Sequence, residues 1–154
     1  MTYRGYVAAA AGGSALLLLG ALAFQFLGGI APCKMCYWQR YPHVAAVVIG
    51  LIALALPSRL LAWLGAAAAA ATAVIGVYHA GVEMKLWQGP TSCTGNGSLG
   101  GLSGSDLLST DGPLDIVMCD VVAWSLAGIS MAGWNAILSF GLAAIWVMAA
   151  TRRV

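Results

Sequence analysis

Long apolar runs separated by short polar interruptions set the pattern of this chain. The first, Val7 to Leu27, is about 20 residues, the length that crosses a hydrocarbon core of about 30 Å as a helix. Gly12, Gly13, Gly20 and many alanines lie along it, and such small residues let helix backbones approach closely in lipid. Gly28, Gly29 and Pro32 end it. The second run, Val44 to Leu56, covers only roughly 20 Å at about 1.5 Å per residue. Pro57 blocks its forward extension, so the helix is expected to begin near Tyr37, with Pro42 accommodated in its early turns. That extension draws Gln39, Arg40 and His43 to the membrane edge and sets Cys36 and Arg40 one helical turn apart.

A third run begins at Leu60 and passes through the alanine tract 66–71; a fourth begins at Ile129, with Trp134 and Trp146 expected as interfacial anchors near its ends. The pattern therefore predicts an all-α membrane protein: a four-transmembrane-helix bundle with spans at 7–27, 37–56, 60–81 and 129–149. Residues 28–36 and 82–128 form its two outer loops. Within the second loop, Gly89 to Gly112 has turn chemistry throughout and is expected to be mobile. Leu114 to Leu126 places Leu114, Val117, Met118, Val121 and Val122 near helical spacing, which predicts a short amphipathic helix at the membrane interface.

Composition agrees with the pattern. The chain is 61% hydrophobic and 8% charged, against about 25% charged in soluble domains, so it lacks the polar residues to cover a water-facing surface. Its 154 residues suffice for one small bundle and leave no room for a soluble enzyme domain as well. The seven basic residues form no run or stripe, which argues against a nucleic-acid partner. The first run exceeds the roughly 7 to 15 residues of a signal-peptide core, and Pro32 stands where lipoprotein cleavage at Cys33 needs a small residue.

Charge also orients the chain. Arg4, Arg59, Arg152 and Arg153 mark the N-terminus, the turn between spans two and three, and the C-terminus. These share one side of a four-span protein, and positive residues favour the cytoplasmic side. Both outer loops are then expected to face outwards, the oxidising side in a bacterial cell. Lys34 and Arg40 run against that bias, which calls for a chemical reason.

The cysteines supply one. Cys33, Cys36, Cys93 and Cys119 all fall in the outer loops and none within a span, although free cysteine buries readily. A zinc site usually has two close pairs, whereas Cys93 and Cys119 are far apart in sequence with no histidine near them; a c-type haem requires His where Tyr37 stands. No metal is expected. Two readings remain: static structural disulfides in a membrane scaffold or carrier, and redox-active pairs that exchange with each other. No nucleotide or flavin motif is present to take up electrons, so a redox chain would need an acceptor from the bilayer. Four cysteines allow three pairings.

The ordered motifs narrow the choice. Cys-x-x-Cys-x-x-Gln-Arg-x-Pro-His from Cys33 to His43, Tyr-His-x-Gly-Val-Glu from Tyr78 to Glu83, Trp87-x-Gly-Pro-x-x-Cys93, Cys119-Asp120, and Gly-Ile-Ser-Met-Ala-x-Trp-Asn from Gly128 to Asn135 span nearly the whole chain. Together they resemble the bacterial disulfide bond formation protein B family, DsbB. The resemblance implies a quinone-dependent oxidase of a periplasmic, thioredoxin-fold dithiol protein similar to DsbA, or in a paralogue of a more dedicated thiol partner. It implies that Cys93 and Cys119 form the disulfide attacked by the partner, with Cys93 the site of the mixed disulfide. Electrons then reach Cys33 and Cys36, and from Cys36 pass to ubiquinone or menaquinone in the membrane. Arg40, His79 and Met131 match the family's quinone-contacting positions. Gln39 stands where the family often has an acidic residue.

Overall fold

The computed structural model describes residues 1–94 and 118–153. Among these, four helices account for most of the chain: α1 (Tyr3–Phe26), α2 (Lys34–Ala55), α3 (Arg59–Glu83) and α4 (Met131–Ala150). Two short strands, β1 (Ser125–Leu126) and β2 (Ile129–Ser130), form an antiparallel hairpin that leads into α4. Three of the helices, α1, α3 and α4, are long and apolar enough to cross a membrane. α2 has 22 residues, and its first half carries Lys34, Gln39, Arg40 and His43.

Packing is inverted relative to a water-soluble bundle. The interior is built largely of small residues, among them Ala10, Ala46, Ala53, Ala62, Ala69 and Ala73, while Leu16, Leu19, Leu51 and Leu60 point outward. Large apolar side chains on the outside and alanines within are what a lipid solvent selects, because association there rests on close backbone approach.

Trp146 is the exception in size. It is fully buried, and a Cβ on Gly65 would fall 2.6 Å from three of its ring atoms. The glycine supplies the face on which the indole lies, so Trp146 is a core residue rather than the interfacial anchor its place near the helix end implies. Trp134 keeps a polar partner, donating from Nε1 to the Leu126 carbonyl at 3.0 Å.

Connections are short and tied. The Tyr3 hydroxyl donates to the Ser58 carbonyl at 2.7 Å and accepts from the Ser58 amide, which clasps the turn between α2 and α3. Helix α2 begins three residues before Tyr37, because Cys33 caps it: the sulfur accepts the Cys36 amide at 3.2 Å. Pro42 lies inside the helix, which continues through it.

The amphipathic helix expected over 114–126 is corrected for its described part. Residues 118–126 form a turn followed by strand β1; residues 114–117 lie outside the described residues, as does most of the stretch expected to be mobile. The cause is competition for the backbone. The Cys119 amide donates to the Cys93 carbonyl at 2.6 Å, and Ser125 and Leu126 pair with Ser130 and Ile129. Helical spacing of apolar side chains could not outweigh a disulfide and a hairpin at either end.

Candidate functional site

The site begins at the start of α2. As N-cap, Cys33 places its sulfur over the first turn, 2.7 Å from the Cys36 sulfur and nearer than two sulfurs in ordinary contact. The two thiols share a proton unequally. Cys36 is held below the ordinary thiol range, first by the hydrogen bond from the Cys33 thiol, then by the backbone bond to Cys33 and the charge of Arg40, with burial opposing. Cys33 is pushed the other way, chiefly by that same hydrogen bond and by burial. Cys36 is thus the more acidic thiol of the pair, at a helix N-terminus, where negative charge is favoured.

The second cysteine pair is close by. Cys93 and Cys119 are joined in a disulfide. Both are buried, and they pack into one cluster with Cys33, Met35 and Val82, against which Cys36 also rests. Residues far apart in the sequence therefore form one contiguous sulfur-rich core. Just outside it, Lys85 pairs with Asp120 and holds that carboxyl below its usual range.

Beside the sulfurs lies a cavity of about 400 Å³, within the range of about 300 to 1,000 Å³ typical of small-molecule sites. Its walls include Cys33, Cys36, Arg40, His79 and Met131, so the residues singled out in the sequence outside the Cys93–Cys119 disulfide meet at one surface. Arg40 is braced by Gln25 Oε1 at 2.7 Å and the Ala21 carbonyl at 3.3 Å, with its guanidinium over the Tyr37 ring. His79, on α3, is buried, with Nε2 3.6 Å from the Cys33 sulfur and Nδ1 2.7 Å from Gln39 Nε2. Met131 is the first residue of α4; its amide donates to the Trp124 carbonyl.

Sequence reasoning passed over several of the wall residues. Glu83 lies one turn after His79, with Oε1 3.9 Å from His79 Nε2 and Oε2 without a hydrogen-bond partner among the described residues. The i, i+4 spacing of His79 and Glu83 was the available signal. Asn135 entered only as the end of a motif, and Gln25, which lies behind Arg40, gave no signal, because each reaches the site from another helix.

Cys33, Cys36 and His79 also bring three potential metal-ligand atoms within 4.8 Å of one another. Two thiolates on one tetrahedral zinc, with Zn–S of about 2.3 Å, stand about 3.8 Å apart. The sulfurs here are much nearer, a spacing suited to forming and breaking their own bond. The cavity instead fits a flat, mostly apolar ring with polar edges. Leu16, Leu17, Phe24 and Leu138 give it apolar walls, and Arg40 and His79 stand among its lining residues as polar groups.

Fold and site together define a helical membrane protein of thiol-disulfide chemistry, with a disulfide packed against a second, free cysteine pair. The family model for disulfide bond formation protein DsbB matches residues 3–149, and the chain belongs to that family. It is 32% identical over 133 residues to disulfide bond formation protein B 2 of Pseudomonas aeruginosa, covering 80% of this chain and 76% of the relative. Similarity to disulfide bond formation protein B of Methylococcus capsulatus is 32% over 142 residues, covering 84% and 83% of the two chains. With the protein of that name from Dechloromonas aromatica, identity is 28% over 145 residues, covering 89% and 86%. No solved structure matches. The protein is accordingly a disulfide-forming membrane oxidoreductase.

Proposed function

We propose that this chain oxidises a periplasmic DsbA-like dithiol protein and passes the electrons through its two cysteine pairs to a membrane quinone, as a four-span protein of the bacterial inner membrane with both termini in the cytoplasm. One observation carries the reading: the Cys93–Cys119 disulfide, the Cys33–Cys36 pair and the cavity that holds Arg40, His79 and Met131 form one continuous sequence of contacts.

The exchange balances as follows. A partner thiolate attacks the Cys93 sulfur and Cys119 leaves as a thiolate; the partner's second thiol then displaces Cys93, so the partner gains a disulfide and this chain two thiols. Exchange with the Cys33–Cys36 disulfide restores the Cys93–Cys119 bond and leaves two electrons on Cys33 and Cys36. A bound quinone supplies a two-electron, two-proton acceptor. This chain's residues prepare the donor: Cys36 is the thiolate facing the cavity, and Arg40 stabilises negative charge both there and on an acceptor oxygen. His79 and Met131 orient what lies in the cavity, and the apolar walls keep water from it.

The test combines purified protein, a reduced DsbA-like dithiol protein and a soluble quinone, with quinone absorbance as readout. Cysteine-dependent loss of that absorbance is expected, abolished by Cys36→Ser and by Cys93→Ser. Quinone reduction that persists in Cys93→Ser overturns the division of labour between the pairs, and no cysteine-dependent loss overturns the enzyme reading.

A further inference from the structure

Along the wall of the cavity, a chain of side-chain hydrogen bonds runs from α4 to the sulfurs. Asn135 Nδ2 lies 2.8 Å from Gln39 Oε1, Gln39 Nε2 is 2.7 Å from His79 Nδ1, and His79 Nε2 is 3.6 Å from the Cys33 sulfur. The Cys33 sulfur is in turn 2.7 Å from that of Cys36. Gln39 and His79 are buried, so these groups depend on one another for partners.

Amides and imidazoles can face either way, but two backbone carbonyls remove the ambiguity, because a carbonyl only accepts. Gln39 Nε2 also lies 3.3 Å from the Met35 carbonyl, which obliges the amide nitrogen, not the oxygen, to occupy that side. The Thr72 hydroxyl gives its proton to the Gln39 carbonyl at 2.9 Å. Thr72 Oγ1 must then accept from Asn135 at 3.2 Å, which fixes the Asn135 amide in turn. With Gln39 oriented, its nitrogen donates to His79 Nδ1. That nitrogen is therefore bare, and the proton of the neutral ring sits on Nε2, facing Cys33.

We infer that Asn135 and Gln39 are positioning residues that lock His79 in its Nε2–H tautomer, so that every member of the series Asn135, Gln39, His79, Cys33 donates toward the Cys36 sulfur. His79 then acts on Cys33 as a hydrogen-bond donor and cannot take its proton at Nε2. A series of bonds that all point one way polarise one another in the same sense. The sense here supports negative charge on Cys36. Charged and titratable groups facing this pair from neighbouring elements are Arg40 on α2 and His79 and Glu83 on α3. Gln39 is essential to the direction: a glutamate of the same shape accepts but cannot donate, and so calls for a proton on His79 Nδ1. The use of this array in catalysis rests on the redox reading above, whereas the tautomer does not.

The tautomer is read directly by nitrogen-15 NMR of histidine-labelled protein with Cys33 and Cys36 reduced. The chain has two histidines, and His43→Asn assigns the signals by removing one set. The expected result is a protonated Nε2 and a bare Nδ1 on His79, with Gln39→Glu moving a proton to Nδ1. In Gln39→Leu, which adds no charge, the pH profile of iodoacetamide alkylation at Cys36, followed by peptide mass spectrometry, should move upward. The expected slowing below the inflection is about tenfold, one pKa unit. A protonated Nδ1 in the wild type overturns the inference, as does an unmoved Cys36 profile in a Gln39→Leu protein whose spectrum shows it folded. If that variant does not fold, the wild-type spectrum decides. Failure of the quinone assay with the expected tautomer present counts against the redox reading alone; the wrong tautomer with quinone reduction intact counts against this inference alone.

Discussion

Arg40 on α2 donates from Nη1 to Gln25 Oε1 on α1 at 2.7 Å, so the cation beside the reactive cysteines is held from a neighbouring helix. The fixed position limits how much it can do for Cys36. The Cys33 thiol, in direct contact, is the larger influence on that sulfur, and Arg40 acts through space from one turn on.

Both should be visible in the pH dependence of Cys36 alkylation. Arg40→Ala is expected to move the inflection upward, and Cys33→Ala to move it further. Because the folded thiol lies below its unfolded value, the contribution to stability is fully present above the unfolded pKa. It is lost as the pH falls through the folded one. Reduced wild type should therefore lose stability on acidification through that window more steeply than Cys36→Ala. Equal slopes, read by thermal unfolding in detergent at a series of pH values, would show that no such linkage exists.

Gly65 and Trp146 form a close large-small match in the core. Gly65→Ala places a methyl where the indole lies and is expected to destabilise the protein by about 1 to 3 kcal/mol. Trp146→Leu, destabilising by itself, should reduce the added cost of Gly65→Ala when the two are combined. Additive losses in unfolding experiments on the four proteins would mean that the ring and the glycine do not compete for space.

Ala127 and Gly128 form the two-residue turn between β1 and β2 with φ of 53° and 78°. Hairpins of this kind favour Asn-Gly, because asparagine tolerates positive φ better than alanine does. Ala127→Asn is expected to raise stability by about 0.5 to 1 kcal/mol without altering thiol chemistry, a gain that a shift in melting temperature would register. A lower melting temperature would count against the strained turn.

The Cys93–Cys119 disulfide is buried in one cluster with Val82 and Met35, so a thiolate, that of a partner included, reaches Cys93 only when this packing opens locally. In a Cys33→Ala/Cys36→Ala background, dithiothreitol should reduce it slowly, and mild denaturant should speed the reaction well before the helices unfold. Alkylation-shift gels beside circular dichroism measure both. Fast reduction in the absence of denaturant would mean that the buried packing does not govern access.

The helices were legible because lipid imposes a simple rule on sequence, and long apolar runs obey it. The start of α2 was less so: no apolar pattern marks Cys33 as a cap, since the interaction is one sulfur with one amide. Trp146 was misread because tryptophan near a helix end is usually interfacial, and only the spatial neighbour Gly65 makes room for it. At the site, the cysteines could be picked out from their placement in the sequence, and Arg40, His79 and Met131 from the family resemblance that the motifs carry. The array through Gln39 and Asn135 could not, because it joins residues 96 positions apart whose roles depend on which way each amide faces.

Leu16, exposed on the outer flank of α1, also lines the cavity beside Cys36. An opening there would face sideways, through the apolar surface of the bundle. A molecule that enters by that route arrives by two-dimensional diffusion, and its effective concentration is a mole fraction among lipids. The half-saturation point of such a reaction would follow the ratio of acceptor to lipid, and would stay fixed when the membranes are diluted in buffer.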